Sequence, residues 1–201
     1  MFRERQSITQ KMKEVISPTP LKYKISKALS TMRVQQRKIE GTSRHLEQRD
    51  RLLREKCVSA LQAKDNAMAS MYANECAEIR KIVKITLHSE LALEQVSLRL
   101  ETVKEFGDMA YTMSSVSGVV GLLKDNLRNV IPEVSLKLSE IHDSLEDMVV
   151  EVGEATEQTV DTEASSSEAQ KILTEANIIA EHKMKERFPE LPTSAAPEAR
   201  I

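Results

Sequence analysis

Residues 21–106 contain no proline and a single glycine, and their apolar side chains recur at helical spacing. Up to about Ala63 the apolar residues step by 3, 4 or 7, which is typical of one helix face. A helix of roughly 40 residues would be about 60 Å long at 1.5 Å per residue. The predicted seam consists of Ile25, Leu29, Met32, Ile39, Leu46, Leu53, Cys57 and Ala60, with Gln36, Ser43 and Asp50 filling the gaps.

A second long helix is predicted to follow a tight turn at Lys64-Asp65-Asn66 and to run to about Phe106. Two long helices joined by a short turn fold back as an antiparallel hairpin. The chain has only 3 Phe, 3 Tyr and no Trp, which disfavours a deep globular core. We therefore predict an all-α, elongated protein whose natural partners include copies of itself.

The rest of the chain divides at changes of composition. Residues 1–20 are a short amphipathic segment that ends in a Pro-containing run, and 21–106 form the basic helical hairpin. Residues 107–152 are predicted to form shorter helices, with Pro132 opening the last of them. The acidic, Ser/Thr-rich stretch 153–167 is predicted to be a linker, and 168–201 a C-terminal helix with a Pro-containing tail.

Charge is distributed very unevenly along the chain, although its total is only −2. Residues 1–60 carry 15 Lys/Arg against 6 Asp/Glu, whereas residues 107–201 carry 8 against 18. Such a chain can bind an anionic surface with its basic end and cover that end with its acidic one. This pattern indicates a switchable binder rather than a catalyst.

Five basic residues of the first predicted helix share one face, which is distinct from the apolar seam. At 100° per residue they fall within an arc of about 60°. Near an anionic bilayer each contributes roughly 1 kcal/mol, so one hairpin binds weakly and a polymer binds strongly. An ordinary solvated face is the alternative interpretation. The predicted membrane-binding residues are Lys22, Arg33, Arg37, Arg44 and Arg51.

Nothing in the sequence predicts catalysis, a cofactor or a metal site. No nucleophile elbow or phosphate-binding glycine loop occurs, and the histidines form no metal-ligand motif. Cys57 and Cys76 form no CxxC pair and are predicted to be buried free thiols. We therefore expect a protein that is not an enzyme. The four scattered histidines are His45, His88, His142 and His182.

Membrane spanning, secretion and nucleic-acid binding are not predicted either. No stretch approaches 18 consecutive apolar residues, and the N-terminus lacks the apolar core of a secretory signal. Base-stacking aromatic residues are nearly absent, and no nucleic-acid-binding motif occurs. We therefore expect a cytoplasmic protein whose anionic partner is not a nucleic acid.

Residues 59–81 read SALQAKDNAMASMYANECAEIRK, and this stretch resembles the tip of the ESCRT-III helical hairpin. In that family a short turn precedes a helix that opens with small residues and ends in Ile-Arg-Lys. Residues 89–108 and 113–153 resemble the archaeal branch, the cell-division proteins of the CdvB type, which are relatives of the charged multivesicular body proteins. The likeness covers about residues 18–188. At the tip it is carried by Tyr72, Ala73, Asn74, Glu75, Ile79, Arg80 and Lys81.

This resemblance implies the ESCRT-III fold and helical filaments on the inner face of the cell membrane, in cell division. The hairpins would form the core of homo- or hetero-polymers with ESCRT-III-like paralogues, and a basic face would contact anionic lipid. The distal acidic helices would fold back and close the soluble monomer. Such filaments constrict and cut membrane necks, and an AAA ATPase with an MIT domain remodels them.

Tails in this family bind the MIT domain either through a short amphipathic helix or through an extended Pro-containing strand. The last predicted helix has Glu181 and His182 where the helical kind carries an Arg-Leu pair, whereas FPELP loosely resembles the extended kind. A disordered tail is the alternative. The resemblance thus implies ATPase binding by Phe188, Pro189, Leu191 and Pro192.

Two functions from different classes remain open at this point. The first is an ESCRT-III-like subunit that polymerises on anionic membrane and constricts it. The second is a coiled-coil scaffold or adaptor that binds a protein partner without membrane contact.

Overall fold

The computed structural model describes residues 21–106, 109–156 and 162–191, and the regular secondary structure within these ranges is all helical. This confirms the predicted all-α class. Residues 1–20, with the predicted amphipathic segment, lie outside the described residues. The helices are α1 (Leu21–Gln62), α2 (Asn66–Phe106), α3 (Met109–Leu127), α4 (Pro132–Thr156) and α5 (Thr162–Arg187).

Helices α1 and α2 form the predicted antiparallel hairpin, and the turn lies where the sequence predicts it. Lys64 adopts the left-handed conformation with φ at 59°, which reverses the chain after α1. The backbone N–H of Asp65 donates to the carbonyl of Ala60 at 2.9 Å. The Asp65 carboxylate then accepts a bond from the Met68 N–H at 3.0 Å and so caps α2.

The α1 seam is buried along much of its length. Ile25, Met32 and Ile39 are fully buried, and Leu46 and Leu53 pack partly buried against the same core. The polar positions Ser43 and Asp50 are buried as well. The third polar residue predicted to lie in the seam, Gln36, is only half-buried, and its neighbour Gln35 is buried instead.

Helices α3 and α4 pack on the hairpin as a second helix pair. Helix α3 contacts α2, α4 contacts α1, and α5 lies against both α2 and α3. One apolar face of α4 is buried along the helix. That face consists of Val134, Leu138, Ile141, Leu145 and Met148.

The predicted linker 153–167 is too long, because α4 continues to Thr156 and α5 already begins at Thr162. Small side chains let this polar first part of α5 approach α3 closely. Ser165 lies 3.1 Å from the hydroxyl of Ser114, and the Tyr111 hydroxyl donates to the Ala164 carbonyl at 3.2 Å. The polar composition of this stretch predicted a linker, whereas the structure has a helix that contacts α3 through hydroxyl groups and backbone.

Both cysteines are buried free thiols, which confirms the prediction. The Cys57 thiol donates to the Ala69 carbonyl at 3.4 Å, and the Cys76 thiol to the Asp50 carbonyl at 3.7 Å. Burial, together with the nearby Asp50 carboxylate, raises the pKa of Cys76 to about 11. Cys76 is therefore a neutral thiol at physiological pH.

Replacing Asp65 by alanine removes the cap of α2 and is expected to lower the free energy of unfolding by about 1 kcal/mol. The matched control is Asp65→Asn, which keeps a side-chain acceptor and should change it little. Urea unfolding followed by circular dichroism measures both variants. Equal losses in the two variants would contradict the capping role.

Candidate functional site

The five predicted membrane-binding residues all lie exposed on α1, and we call this set the cationic face: Lys22, Arg33, Arg37, Arg44 and Arg51. Arg33 forms an ion pair with Glu101 of α2, and Arg44 pairs with Glu40 of its own helix at 3.1 Å. The Arg37 Nε donates to the backbone carbonyl of Arg33 at 3.3 Å. The structure thus places the five together on one accessible surface, and their binding to lipid stays a prediction.

Helices α4 and α5 return to the hairpin through ion pairs that match the charge asymmetry of the sequence. Most of these pairs join a cation of the hairpin to a carboxylate of α4 or α5. Each pair is at least partly exposed to water, so each contributes little to stability on its own. The pairs are Lys24–Glu151 at 2.6 Å, Lys38–Glu133 at 3.6 Å, Lys84–Glu181 at 2.9 Å, Arg99–Glu168 at 2.5 Å and Arg187–Glu47 at 2.8 Å.

The docked acidic helices use cations other than those of the cationic face. Lys24 and Lys38, which pair with α4, lie more than about 90° round α1 from that face. Helix α4 therefore packs on one flank of α1 while the cationic face occupies the other. The charge balance led us to expect that the acidic helices cover the basic surface, but the docked helices leave the cationic face uncovered.

Contacts with the hairpin lower the pKa of two carboxyl groups of α5. A hydrogen bond from Arg99 lowers the pKa of Glu168, and a hydrogen bond from Lys84 lowers the pKa of Glu181. A carboxyl group whose pKa is lower when docked favours docking at pH values above its free pKa. That contribution is lost as the pH falls through the lowered value.

Arg80 joins the hairpin to the end of α5. Its Nε and Nη2 donate to the two oxygens of Asp50 at 2.8 and 3.1 Å, and Asp50 is only 2% exposed. Its Nη1 donates to the Pro189 carbonyl at 2.9 Å, and its guanidinium lies 5.3 Å from the centre of the Phe188 ring. One side chain thereby neutralises a buried charge of α1 and holds the segment after α5.

Part of the predicted ATPase-binding tail thus contacts the chain's own hairpin. Phe188 is half-buried against the core, and the Pro189 carbonyl is bonded to Arg80. Leu191 is half-buried, and Pro192 lies outside the described residues. Sequence reasoning assigned no partner to Arg80, although a charged residue at position 50 of the apolar seam was a usable signal that a partner must exist.

A serine, a histidine and a glutamate meet between α3 and α4. The Ser117 hydroxyl lies 2.8 Å from His142 Nδ1 and donates to a Glu146 carboxylate oxygen. Ser117 is 0% exposed, so its hydroxyl cannot reach a substrate. The cluster ties two helices together, and sequence reading missed it because its members are 25 or more residues apart across two helices.

His88 has a similar connecting role, since its Nε2 lies 3.0 Å from the Leu173 carbonyl of α5. Within residues 21–106, 109–156 and 162–191, no group of three or more metal-ligating side chains comes together. In the same ranges, none of the helices combines the length and the apolar content that crossing a bilayer requires.

The chain is similar to known proteins over most of its length. The profile of the Snf7 family matches residues 27–199. Cell division protein B1 of Sulfolobus acidocaldarius is 43% identical over 185 residues, which are 92% of this chain and 86% of that protein. Cell division protein B of the same organism is 35% identical over 175 residues, 85% of this chain and 67% of that protein. No solved structure matches the chain.

Replacing Arg80 by methionine leaves the Asp50 carboxylate buried without its cation and is expected to cost about 3–5 kcal/mol of unfolding free energy. Adding Asp50→Asn removes the uncompensated charge, so the double variant should recover part of this loss. Urea unfolding of the two variants and the parent chain measures the difference. A double variant less stable than Arg80→Met would show that the pair is not the source of the stabilisation.

Proposed function

Because the chain belongs to the Snf7 family, the ESCRT-III proteins, and is of the CdvB type, we propose that it is a filament-forming subunit that constricts membranes in cell division. The role is structural and not catalytic. The cationic face carries this proposal, because it remains exposed while the acidic helices are docked. The subunit binds the anionic inner face of the cell membrane peripherally, at the division site.

Membrane affinity comes from assembly and not from one subunit. A single cationic face supplies only a few residues at roughly 1 kcal/mol each, and salt screens them. A filament presents many such faces at once, so its residence on the membrane becomes long through avidity. Constriction follows when a filament of fixed curvature holds the membrane.

Exposed apolar side chains at the hairpin tip support polymerisation with copies of this chain or with paralogues. Leu52 is 59% exposed and Met71 is 46% exposed. A groove of about 550 Å³ is lined in part by Leu52, Met68 and Tyr72. Burial of this apolar surface against another subunit would remove it from water.

The docked helices restrain assembly in this proposal. Helices α4 and α5 hold the compact form through several individually weak ion pairs and through the Arg80 contact. Since the cationic face stays accessible, docking limits polymer contacts and not membrane contact. Release of these helices opens the subunit and permits growth of the filament.

An AAA ATPase with an MIT domain is the proposed remodelling partner, acting on Phe188, Pro189, Leu191 and Pro192. Two of these residues are held by Arg80 in the compact form. A partner that takes this segment must therefore compete with Arg80. Binding of the ATPase and release of the tail then become one event.

A matched pair of triple variants tests membrane binding. Reversing Arg37, Arg44 and Arg51 to Glu should weaken binding to anionic vesicles by about a hundredfold, at roughly 1 kcal/mol per residue. Reversing Lys27, Arg49 and Lys56, which are exposed on α1 outside the cationic face, changes net charge equally and should cost less than about tenfold. Vesicle sedimentation measures both. If the parent chain does not bind vesicles even at low salt, the coiled-coil scaffold becomes the better interpretation.

Removal of the restraint is tested with a chain truncated after residue 156 and with the double variant Glu168→Lys, Glu181→Lys. Both should form filaments or deform vesicles at protein concentrations where the full chain stays monomeric, because they lose the docking of α5. Analytical ultracentrifugation and electron microscopy provide the measurement. Truncated and variant chains that remain monomeric and inert towards vesicles would contradict the restraint.

A further inference from the structure

A groove of about 860 Å³ runs between α1 and α2 beside the cationic face. Helix α1 contributes Ser26, Ser30, Arg33, Gln36 and Arg37 to its lining, and α2 contributes Glu101. Apart from that carboxylate, these polar side chains can all donate hydrogen bonds. Hydrogen-bond donors of this kind, grouped around a concave site with two cations, suit an anion with several acceptor oxygens.

The two arginines differ in how far they are already engaged. Arg37 uses its Nε to bond the Arg33 carbonyl at 3.3 Å, which orients the guanidinium along the helix surface. Among the described residues, no carboxylate lies within ion-pair distance of Arg37. Its two terminal nitrogens therefore remain available as a fork, the geometry that matches two oxygens of a phosphate.

Glu101 shows that this groove already accommodates an anionic group. Its carboxylate reaches across from α2 and pairs with Arg33. Both side chains are well exposed, so the pair is weak and an incoming anion can replace the carboxylate. Glu101 therefore competes with an incoming anion for Arg33 and limits the affinity of the groove for that anion.

We propose that the groove binds a phosphate group, as a phospholipid headgroup presents it, between Arg33 and Arg37. This inference rests on the proposed membrane role and adds a specific ligand to it. The other residues of the cationic face attract the membrane by their charge but do not line the groove. Arg44 is paired with Glu40 and does not line the groove, so it serves as a matched control.

Binding of the full chain to phosphatidylglycerol vesicles tests the site with single variants. Arg37→Gln should weaken binding by about tenfold, because a charge-assisted fork is lost, and Arg44→Gln by no more than about threefold. Glu101→Gln should strengthen binding, since it frees Arg33. Because loss of any nearby negative charge favours binding, Glu40→Gln, which frees Arg44 outside the groove, is the matched control and should give the smaller gain. Circular dichroism checks that the variants remain folded.

A second arm uses soluble glycerol 3-phosphate, titrated at constant ionic strength and followed by NMR. Binding that is lost in Arg37→Gln but kept in Arg44→Gln supports recognition of phosphate itself. If this pattern occurs while the parent chain fails to bind vesicles, the groove is supported and the membrane role is overturned. If Arg37→Gln and Arg44→Gln weaken vesicle binding equally and Glu101→Gln gives no gain, the groove is overturned and the membrane role stands.

Discussion

The buried ion pair of Asp50 and Arg80 links the pairing of α1 with α2 to the docking of the segment after α5. A carboxylate that is only 2% exposed requires a bidentate cation, so the pair favours a single alignment of α1 against α2. The same guanidinium carries Pro189 and Phe188. The register of the hairpin and the docking of the tail therefore both depend on Arg80, and we expect a change in one to alter the other.

The two flanks of α1 differ in what packs against them. Helix α4 packs on one flank and takes its ion pairs there, whereas the cationic face lies on the other. In the proposed function, this arrangement separates two demands on a strongly basic helix, which are to hold the chain's own acidic half and to bind an anionic membrane. Weak, exposed pairs suit the first demand because they can be exchanged, and an uncovered face suits the second.

Periodicity identified much of what the structure shows and missed contacts between distant residues. The cationic face was predictable because five residues on one helix have fixed relative directions whatever packs around them. The partnership of Asp50 with Arg80 and the contact of Ser117 with His142 depend on how different helices align. The start of α5 was missed because Ala164 and Ser165 look like linker residues until α3 lies beside them.

The sequence by itself determined the helices, the turn and the division of charge. These follow from local spacing, from proline-free segments and from the cap at Asp65, all of which act within a few residues. Only the tertiary structure decided which cations the acidic helices neutralise, where the tail is held and which face stays open. Those outcomes depend on packing between helices, which brings together residues from 30 to more than 100 positions apart.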